Sequence, residues 1–493
     1  MRVSHWCARP YTIDVSPRSR DRAVTDFSAP VLLWLRRDLR LADNPALCAA
    51  LATGRPVVPV FVLDETSPDQ WAPGGASRWW LHHSLAALAA DLAGRGARLV
   101  LRRGTFAELI PRLAAETGAV EIHAGIPTEP WARAAYRRVI AALGSVKLHA
   151  HLTTLLHHPD EIRTLAGTPY GVFTPFGRAC RAQLAVPMAQ PAPARIPAGP
   201  QPASDDLAAW NLLPRTPDWA GGLRTAWTPG EAGAQARLAA FVADGLGQYR
   251  AHRDRPGYDG TSRLSPHLAW GEISPRQLWH AGAACEKFRD EVLWREFAAH
   301  LLWHHPTLPD APLRAEFAAM PWRDDPAALR AWQRGQTGIP IVDAGMRQLW
   351  QTGWMHNRVR MIVASFLVKH LLLPWQHGES WFWDTLVDAD LAQNAASWQW
   401  VAGSGADAAP YFRVFNPLLQ GRKFDPDGAY VRRFVPELAA LPDSVIHAPW
   451  EAPSLLLAGA GVRLGTSYPH PVIDLAAGRA RALLAFAGLR GAA

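Results

Sequence analysis

A seven-residue segment of the chain combines hydroxyl and guanidinium side chains in an order suited to holding phosphate groups. Residues 260–266 read Gly-Thr-Ser-Arg-Leu-Ser-Pro, and the side chains of Thr261, Ser262 and Arg263 can donate hydrogen bonds to a phosphate. Ser265 followed by proline fits a helix N-cap and first helical position, and a helix start presents backbone N–H groups and a positive dipole end. An ordinary capped helix would show the same residues, so the segment alone leaves both interpretations open.

A second segment, residues 337–361, places amide and guanidinium side chains at helical spacing. If its last part is helical, Asn357 and Arg360 lie three positions apart and share a face, whereas Arg358 points elsewhere. One face could then bind a cofactor and the other a phosphate backbone. A solvated basic turn is the alternative that the spacing leaves open.

A third segment, residues 388–400, aligns three functional groups on one side of a predicted helix. Asp390, Asn394 and Trp398 occupy positions i, i+4 and i+8, which makes a stripe of carboxylate, amide and indole. A polar stripe that faces solvent is one interpretation. The indole favours the other, a buried surface that faces a ligand.

A fourth segment has Glu291, Trp294 and Arg295 on one helix face, which alone indicates an ordinary amphipathic helix. It belongs to a region rich in tryptophan, in a chain with 23 Trp against 16 Phe and 8 Tyr. Plain packing explains most single indoles in this region. The excess of tryptophan therefore marks a region of interest without assigning a function to it.

The elements that must position these residues begin with an N-terminal region of alternating strands and helices. Short apolar runs alternate with helical Ala/Leu/Arg stretches between residues 30 and 158, which predicts a doubly wound parallel sheet of the Rossmann-like α/β class. Asn44 followed by proline predicts the N-cap of the first helix. The predicted strands are Val31–Leu35, Val57–Leu63, Arg98–Leu101, Val120–His123 and Val146–His149, and the predicted helices are 77–93, 105–117 and 129–143.

The rest of the chain predicts a linker and a second domain. Residues 159–230 are rich in Pro, Ala and Gly, which indicates an interdomain linker. Residues 231–493 lose the strand alternation and show amphipathic stretches, so an all-helical domain is predicted, with Ser274 as a further N-cap. Residues 1–29 predict a disordered extension without a secretory signal.

Composition excludes several classes of protein. The 493 residues are 49% hydrophobic and 19% charged, which fits a globular protein rather than a disordered chain or a coiled coil. The four cysteines lie far apart and the paired histidines lack metal-ligand spacing, so no metal is predicted. No apolar run is long enough to span a bilayer. The net charge of +8 is compatible with a polyanionic partner.

Taken together, these segments resemble the photolyase/cryptochrome family over nearly the whole chain, from Val31 to about Ile473. The runs 337–361 and 388–417 carry most of the likeness, and residues 34–45 resemble the opening strand and loop of the family. The nearest group is the class I cyclobutane pyrimidine dimer (CPD) DNA photolyases. The resemblance implies an α/β antenna domain, a long linker and a C-terminal helical domain that binds FAD and the DNA lesion.

In this family the helical domain holds a folded FAD beside a cavity that receives the damaged bases. By position Asn394 lies opposite flavin N5, where a neutral amide tolerates both protonation states of the ring. Plant cryptochromes tend to carry aspartate there, so Asn394 favours repair over signalling. The other residues that the resemblance implies at FAD are Tyr249, Thr261, Ser262, Arg263, Leu264, Ser265, Asn357, Arg360, Asp388 and Asp390.

The resemblance also implies light-driven repair, in which excited FADH⁻ transfers an electron to a flipped-out dimer and splits it. Glu291 aligns with the carboxyl group that hydrogen-bonds the pyrimidine. Further contacts expected by alignment are Trp294 and Trp400, which pack on the dimer, Met361, which is typical of CPD enzymes, and Arg253 and Arg358, which bind phosphates. UV-damaged DNA is the expected partner of a monomeric, cytoplasmic, bacterial-type protein that associates with the nucleoid through DNA.

The resemblance also implies a path for electrons to the flavin, and it bears on which antenna chromophore the protein could bind. Trp398, Trp375 and Trp322 align with the family's chain of indoles between the flavin and the surface. Folate-binding members carry Cys and Lys where this chain has Thr307–Asp310, and an acidic residue where it has Ala132, which speaks against folate as the antenna. A deazaflavin, a second flavin or no antenna remain open.

Two alternatives to CPD repair remain. A cryptochrome-like photoreceptor would bind FAD and signal without repair, but Asn394, Met361 and the short C-terminal tail argue against it. A (6-4) photolyase would bring a histidine pair into the lesion pocket, and the run Met355–Met361 does not resemble that pattern.

Overall fold

The computed structural model describes residues 28–408 and 413–491. The predicted disordered extension over residues 1–29 lies outside these ranges except for its last two residues. No helix in the described ranges is long and apolar enough to cross a membrane.

One parallel sheet with helices on both faces forms the N-terminal domain, as the alternation of apolar runs predicted. Its strands are β1 (Val31–Leu35), β2 (Val57–Leu63), β3 (Val100–Arg103), β4 (Glu121–Gly125) and β5 (Lys147–His151), and its helices are α1 (Pro45–Ala52), α2 (Gly75–Ala93), α3 (Phe106–Thr117) and α4 (Pro130–Ala142). The strand order is β3-β2-β1-β4-β5. β3 begins at Val100 rather than Arg98 because its pairing with β2 starts where Val100 meets Val60.

The two faces of the sheet pack against different partners. Leu32 and Trp34 of β1 are fully buried in a core shared with α3 and α4. Leu33 and Leu35 point the other way, into a core that contains α1, α2 and Trp270 from the second half of the chain. The second face of the sheet therefore forms part of the contact between the domains.

The loop after β1 joins the two domains through buried polar groups. The backbone N–H groups of Leu41 and Ala42 donate to the Glu231 carboxylate at 2.7 and 2.9 Å. Asn44 accepts hydrogen bonds from the first turn of α1, which confirms the predicted N-cap. The apolar strand positions the loop, and the loop then positions the helical domain.

The predicted linker contains helices as well as extended chain. Within residues 159–230 lie α5 (Phe173–Gln183) and α6 (Gly221–Ala226). Phe176 and Cys180 of α5 are completely buried in the core of the helical domain. Their four-residue spacing gives α5 an apolar stripe, which the Pro-rich composition of the surrounding segment hid.

Helices joined by turns and loops make up the rest of the described chain, and no strand follows His151 within the described ranges. They are α7 (Glu231–Ala240), α8 (Tyr249–His252), α9 (Ser265–Trp270), α10 (Pro275–Ala281), α11 (Glu286–His304), α12 (Pro326–Arg334), α13 (Pro340–Thr352), α14 (Asn357–Ser365), α15 (Trp375–Thr385), α16 (Leu391–Ala402), α17 (Pro417–Phe424), α18 (Ala429–Phe434), α19 (Ser454–Gly459) and α20 (Leu475–Gly491). Ser274 and Gln277 form a reciprocal capping box at α10, so this predicted N-cap is confirmed.

The other predicted N-cap in this domain is wrong. Ser265 is the first residue of α9, the N-cap is Leu264, and no side chain caps the helix. The Ser265 hydroxyl instead accepts a hydrogen bond from the Trp354 indole at 3.1 Å. A distant partner thus competes with the local backbone for this hydroxyl group.

Candidate active site

The segment from Thr261 to Ser265 forms a tight, cationic turn. Arg263 adopts a left-handed backbone conformation with φ of 52°, an uncommon state for a residue with a side chain. Its guanidinium lies 4.8 Å from the Trp227 ring and 5.4 Å from the Trp354 ring. Its Nε is buried and has no hydrogen-bond partner among the described residues, so the turn holds a donor without an acceptor.

Arg237 of α7 fixes this turn from behind. It donates to the carbonyl oxygens of Ser262 and Thr261 at 2.8 and 3.0 Å. Because one guanidinium holds both carbonyl groups, the conformation of the turn is fixed. The sequence did not indicate Arg237, since its partners lie 24 and 25 residues away.

Tyr249 lies in α8 just before this turn. It is buried, its ring packs edge-on against Phe241 and Phe288, and burial raises the pKa of its hydroxyl group. The hydroxyl is therefore protonated at neutral pH and able to donate a hydrogen bond.

An ion pair between α14 and the loop before α16 forms the second part of the site. Arg360 Nη2 lies 2.7 Å from Asp388 Oδ2, and Arg360 Nε donates to the carbonyl of Met355. The other carboxylate oxygen of Asp388 is buried without a partner in the described residues. Asn357 is exposed at the first position of α14, so the structure places the predicted pair Asn357 and Arg360 in different environments.

Trp354 connects the two parts. It is buried, donates its indole N–H to Ser265, and lies 5.4 Å from the Arg263 guanidinium and 6.0 Å from that of Arg360. Three of the residues expected at FAD, Arg263, Ser265 and Arg360, are thus brought together around one indole. The sequence did not indicate this role, because no regular spacing relates Trp354 to the residues that it contacts.

Helix α16 carries the amide and the indole of the predicted stripe. Asp390 is the N-cap rather than a helical residue, and its carboxylate accepts the N–H of Gln393 at 2.9 Å. Asn394 is buried and donates its amide to the Glu379 carbonyl at 3.0 Å, which leaves the amide oxygen available as an acceptor. A carboxylate, an amide and an indole do follow one another as predicted, but the carboxylate belongs to the cap and is only half-buried.

Trp398 is held by close packing from α12 and α15. Its ring contacts Phe382 at 5.0 Å and Trp332 at 6.2 Å between centroids, and a Cβ atom at Gly378 would overlap it. Among the described residues no ring contact joins it to Trp375, which is buried at the start of α15, and Trp322 is only half-buried. The electron path through these three indoles stays a prediction.

A row of alternating charges lies between α8, α11 and α14. Arg253 forms an ion pair with Glu291, which also accepts from Lys287 at 2.8 Å. Arg358 contacts Asp254 at 3.0 Å, and its Nη1 lies 3.7 Å from the Met361 sulfur. The structure therefore places the predicted residues Glu291, Arg253, Arg358 and Met361 along one row and pairs both arginines with carboxylates. Asp254 was missed, because its partner is 104 positions away.

Aromatic residues line the neighbouring surface. The Trp294 ring stacks on Phe173 with centroids 3.7 Å apart and planes 10° apart. One face of Trp294 is therefore covered by α5, and only the opposite face remains for a ligand. Trp400 of α16 is half-buried against the same core. Phe173 belongs to the predicted linker, so sequence reasoning did not consider it.

The donor set of this region fits a flavin dinucleotide. Arg263 Nε, His356 Nε2 and Asp388 Oδ1 are buried and lack partners in the described chain. Buried polar atoms cost free energy unless a ligand or water satisfies them. Cations and hydroxyls on one side suit a diphosphate, and a carboxylate and an amide on the other suit a heteroaromatic ring with donors and acceptors. No group of side chains in the described ranges could hold a metal ion.

The positions that bear on an antenna chromophore are filled by other residues. Ala132 is completely buried in α4, and Asp310 accepts a hydrogen bond from Gln70 at 2.8 Å. Neither position offers the thiol, amine or carboxylate pattern of folate-binding members. The absence of folate and the identity of any antenna remain predictions.

Two family models match separate parts of the chain. Residues 31–198 match the model described as DNA photolyase, and residues 288–488 match the FAD binding domain of DNA photolyase. The turn with Arg263 lies between these two matches. Its contact with Trp354 is what ties it to the second matched region.

Whole-chain relatives agree with these matches. The chain is 49% identical over 476 residues to a deoxyribodipyrimidine photo-lyase of Agrobacterium fabrum, covering 94% of this chain and 98% of that protein. It is 37% identical to cryptochrome-1 of Arabidopsis thaliana, covering 91% of this chain and 69% of that protein. A bacterial class III photolyase from Agrobacterium tumefaciens has a similar structure, with a TM-score of 0.91, 48% identity, and coverage of 97% and 100%. The chain therefore belongs to the photolyase/cryptochrome family.

Proposed function

We propose that this protein is a light-driven DNA repair enzyme that binds FAD and splits cyclobutane pyrimidine dimers. The observation that carries the proposal is Asn394, a neutral amide that is buried on α16 and held in place by its hydrogen bond to the Glu379 carbonyl group. A neutral amide at this position suits a flavin that changes its protonation state. The 49% identity to a deoxyribodipyrimidine photo-lyase supports the same activity.

The flavin would be held by the two parts of the site that Trp354 joins. Arg263, Ser262 and Thr261 would bind its diphosphate, with Tyr249 and the N–H groups at Leu264 and Ser265 beside them. Arg360 and Asp388 would orient the ring side, together with Asn357 and the capping residue Asp390. When bound and reduced, the flavin supplies the light-driven electron for the dimer. Asn394 would hold a hydrogen bond to the ring in either protonation state.

The dimer and its DNA would be held by the charged row and the aromatic surface next to it. Glu291 would accept a hydrogen bond from a base, the open face of Trp294 and the Trp400 ring would pack on the dimer, and Met361 would border them. Arg253 and Arg358 would contact phosphates. Flipping a dimer out of the duplex is favoured because its base pairing is already disturbed.

One solved structure favours a photolyase class other than the one that the sequence resemblance implied. Class I was predicted, whereas the 48% identical solved structure with a TM-score of 0.91 is a class III photolyase. This likeness favours class III for the present chain. The monomeric state and the cytoplasmic location stay predictions, and the antenna stays open between a deazaflavin, a second flavin and none.

The activity can be tested with the purified, reduced flavoprotein and three matched oligonucleotides that carry a CPD, a (6-4) lesion or no lesion. We expect light-dependent loss of the CPD alone, with a dark sample as control. Repair of the (6-4) lesion would contradict the proposed substrate. Repair of neither lesion by protein with bound, reducible flavin would favour a photoreceptor, the alternative that the 37% identity to a plant cryptochrome supports.

The electron path can be tested separately. Trp398→Phe should slow photoreduction of oxidised flavin while leaving repair by chemically reduced enzyme nearly unchanged, because the indole supplies electrons only to the oxidised cofactor. Trp279→Phe is the matched control, since this indole packs under Arg289 at 4.7 Å and does not belong to the proposed path. Equal photoreduction in the two variants would remove Trp398 from the path.

A further inference from the structure

The charged row consists of five side chains whose signs alternate: Lys287, Glu291, Arg253, Asp254 and Arg358. Glu291 is paired with Lys287 and Arg253, and Asp254 with Arg358. Arg253 Nε also lies 3.6 Å from Asp254 Oδ1, too far for a hydrogen bond but close enough to become one after a small rotation. The row thus has two possible sets of partners, of which the structure shows one.

Asp254 is the carboxylate whose partner differs between the two sets: Arg358 in one and Arg253 in the other. Its Oδ2 contacts Arg358, whereas its Oδ1 is buried and has no partner among the described residues. Burial raises the pKa of Asp254, but the hydrogen bond and charge of Arg358 outweigh this and lower the pKa. The carboxylate is therefore ionised at neutral pH and needs at least one guanidinium beside it.

We propose that Asp254 is a specificity-determining residue that couples occupation of the lesion pocket to release of Arg358 for the DNA backbone; this rests on the proposed function. When a base reaches Glu291, that carboxylate exchanges Arg253 for the base. Arg253 then pairs with Asp254, and Arg358 is free to bind a phosphate. Each carboxylate keeps a partner at every stage, so no charge is left unpaired.

Undamaged DNA cannot drive this exchange. Without a flipped base, Glu291 has Arg253 and Lys287 as its partners among the described residues, so Arg253 stays engaged. A phosphate that takes Arg358 would then leave the Asp254 carboxylate without its partner and close to a second negative charge. Asp254 therefore penalises binding of undamaged DNA more than binding of DNA with a flipped lesion, which is a coupling between two sites.

The variant that tests this is Asp254→Asn, which keeps the shape and removes the charge. Its affinity for undamaged duplex should rise about 10-fold and for CPD-bearing duplex at most about 3-fold, because Arg358 is then free in both cases. The slope of log K against log salt for undamaged DNA should steepen by about 0.9, the value of one added phosphate contact. Asp218→Asn is the matched control, with the same charge change at an exposed pair with Arg224.

Two further variants protect the test against a folding defect. Asp254→Glu, which keeps the charge, should retain the wild-type preference, and Arg358→Gln should weaken CPD binding about 10-fold with little effect on undamaged DNA. An Asp254→Asn variant that raises or lowers both affinities equally, as judged against Asp218→Asn, would overturn the coupling alone. A wild-type protein without preference for CPD-bearing DNA would overturn the proposed function and the coupling together.

Discussion

Two arginine-rich regions of this protein use the same residue types in opposite ways. In the loop after β1, residues 36–44, the arginines find partners within the protein. In the candidate site, Arg263 and Arg358 keep buried Nε atoms that have no partner among the described residues. Hydrogen-bond partners, rather than the number of cationic residues, therefore separate a structural clamp from a ligand site.

Arg36 and Arg40, which we call the clamp, make short and direct contacts. Arg36 binds Glu129 through two parallel hydrogen bonds of 3.0 and 2.8 Å. Arg40 is completely buried and donates to the carbonyl oxygens of Asp43, Thr153 and Gly271, the last of which belongs to the helical domain. Arg36 therefore holds elements of the N-terminal domain together, and Arg40 connects this domain to the helical domain through Gly271.

The largest effect is expected from Arg40→Met, which removes the centre of the clamp. Three carbonyl groups would lose their donor in a buried site, so the free energy of unfolding should fall by about 3–5 kcal/mol. Urea unfolding followed by circular dichroism measures this. Arg98→Met at an exposed position should cost less than about 0.5 kcal/mol. A similar cost for both variants would show that Arg40 is not a clamp.

The second prediction concerns the pH dependence of the clamp. Burial alone raises the pKa of Glu129, but the Arg36 guanidinium outweighs burial and lowers that pKa to about 2. A carboxylate with a lowered pKa stabilises the folded state above its ordinary value of 4.5, and this stabilisation is lost as the pH falls towards 2. Glu129→Gln should therefore cost roughly 3 kcal/mol at neutral pH and less than half as much near pH 3.

Unfolding of wild type and Glu129→Gln at matched pH values measures this difference. Glu116→Gln, which removes an exposed i,i+4 partner of Arg112, provides the control and should cost about 0.5 kcal/mol or less. A pH-independent difference between Glu129→Gln and wild type would mean that the Arg36 pair contributes through packing rather than charge.

The sequence predicted the clamp's elements better than its contacts. β1, β2 and the cap at Asn44 follow from local patterns, because alternating apolar runs and an Asn-Pro pair act within a few residues. Ser265 failed as a predicted cap because Trp354 competes for its hydroxyl from 89 residues away. Local residue types predict local hydrogen bonds, and they fail where a buried donor from elsewhere needs an acceptor.

The same limit applies to the candidate site. The resemblance supplied Arg253, Arg358 and Glu291 as DNA and lesion residues, yet it contained nothing on how they pair without DNA. The pairing of Asp254 with Arg358 depends on the fold, which brings the end of α8 beside α14, and no local pattern predicts it. Likewise α5 was hidden in a Pro-rich segment, although Phe173 covers one face of a predicted lesion residue.

In the candidate flavin site, the next largest effect is expected from a change at Arg360. Arg360→Met would leave the buried Asp388 carboxylate without its 2.7 Å partner, so the flavin dissociation constant should rise about 30-fold. Flavin absorbance after gel filtration and fluorescence titration of the apoprotein measure it. Arg347→Met breaks a comparable ion pair with Glu437 and should leave flavin binding unchanged. Equal flavin retention in both variants would place Arg360 outside the flavin site.

The smallest effect is expected from Ser265→Ala, at the border between structure and ligand site. Removing the hydroxyl leaves the Trp354 indole N–H without its acceptor, which should cost about 1 kcal/mol of unfolding free energy. In a Trp354→Phe background the same substitution should cost almost nothing, because the donor is already absent. A helix cap would lose its contribution in both backgrounds. Equal costs in the two backgrounds would therefore restore the capping role and remove the link between Ser265 and Trp354.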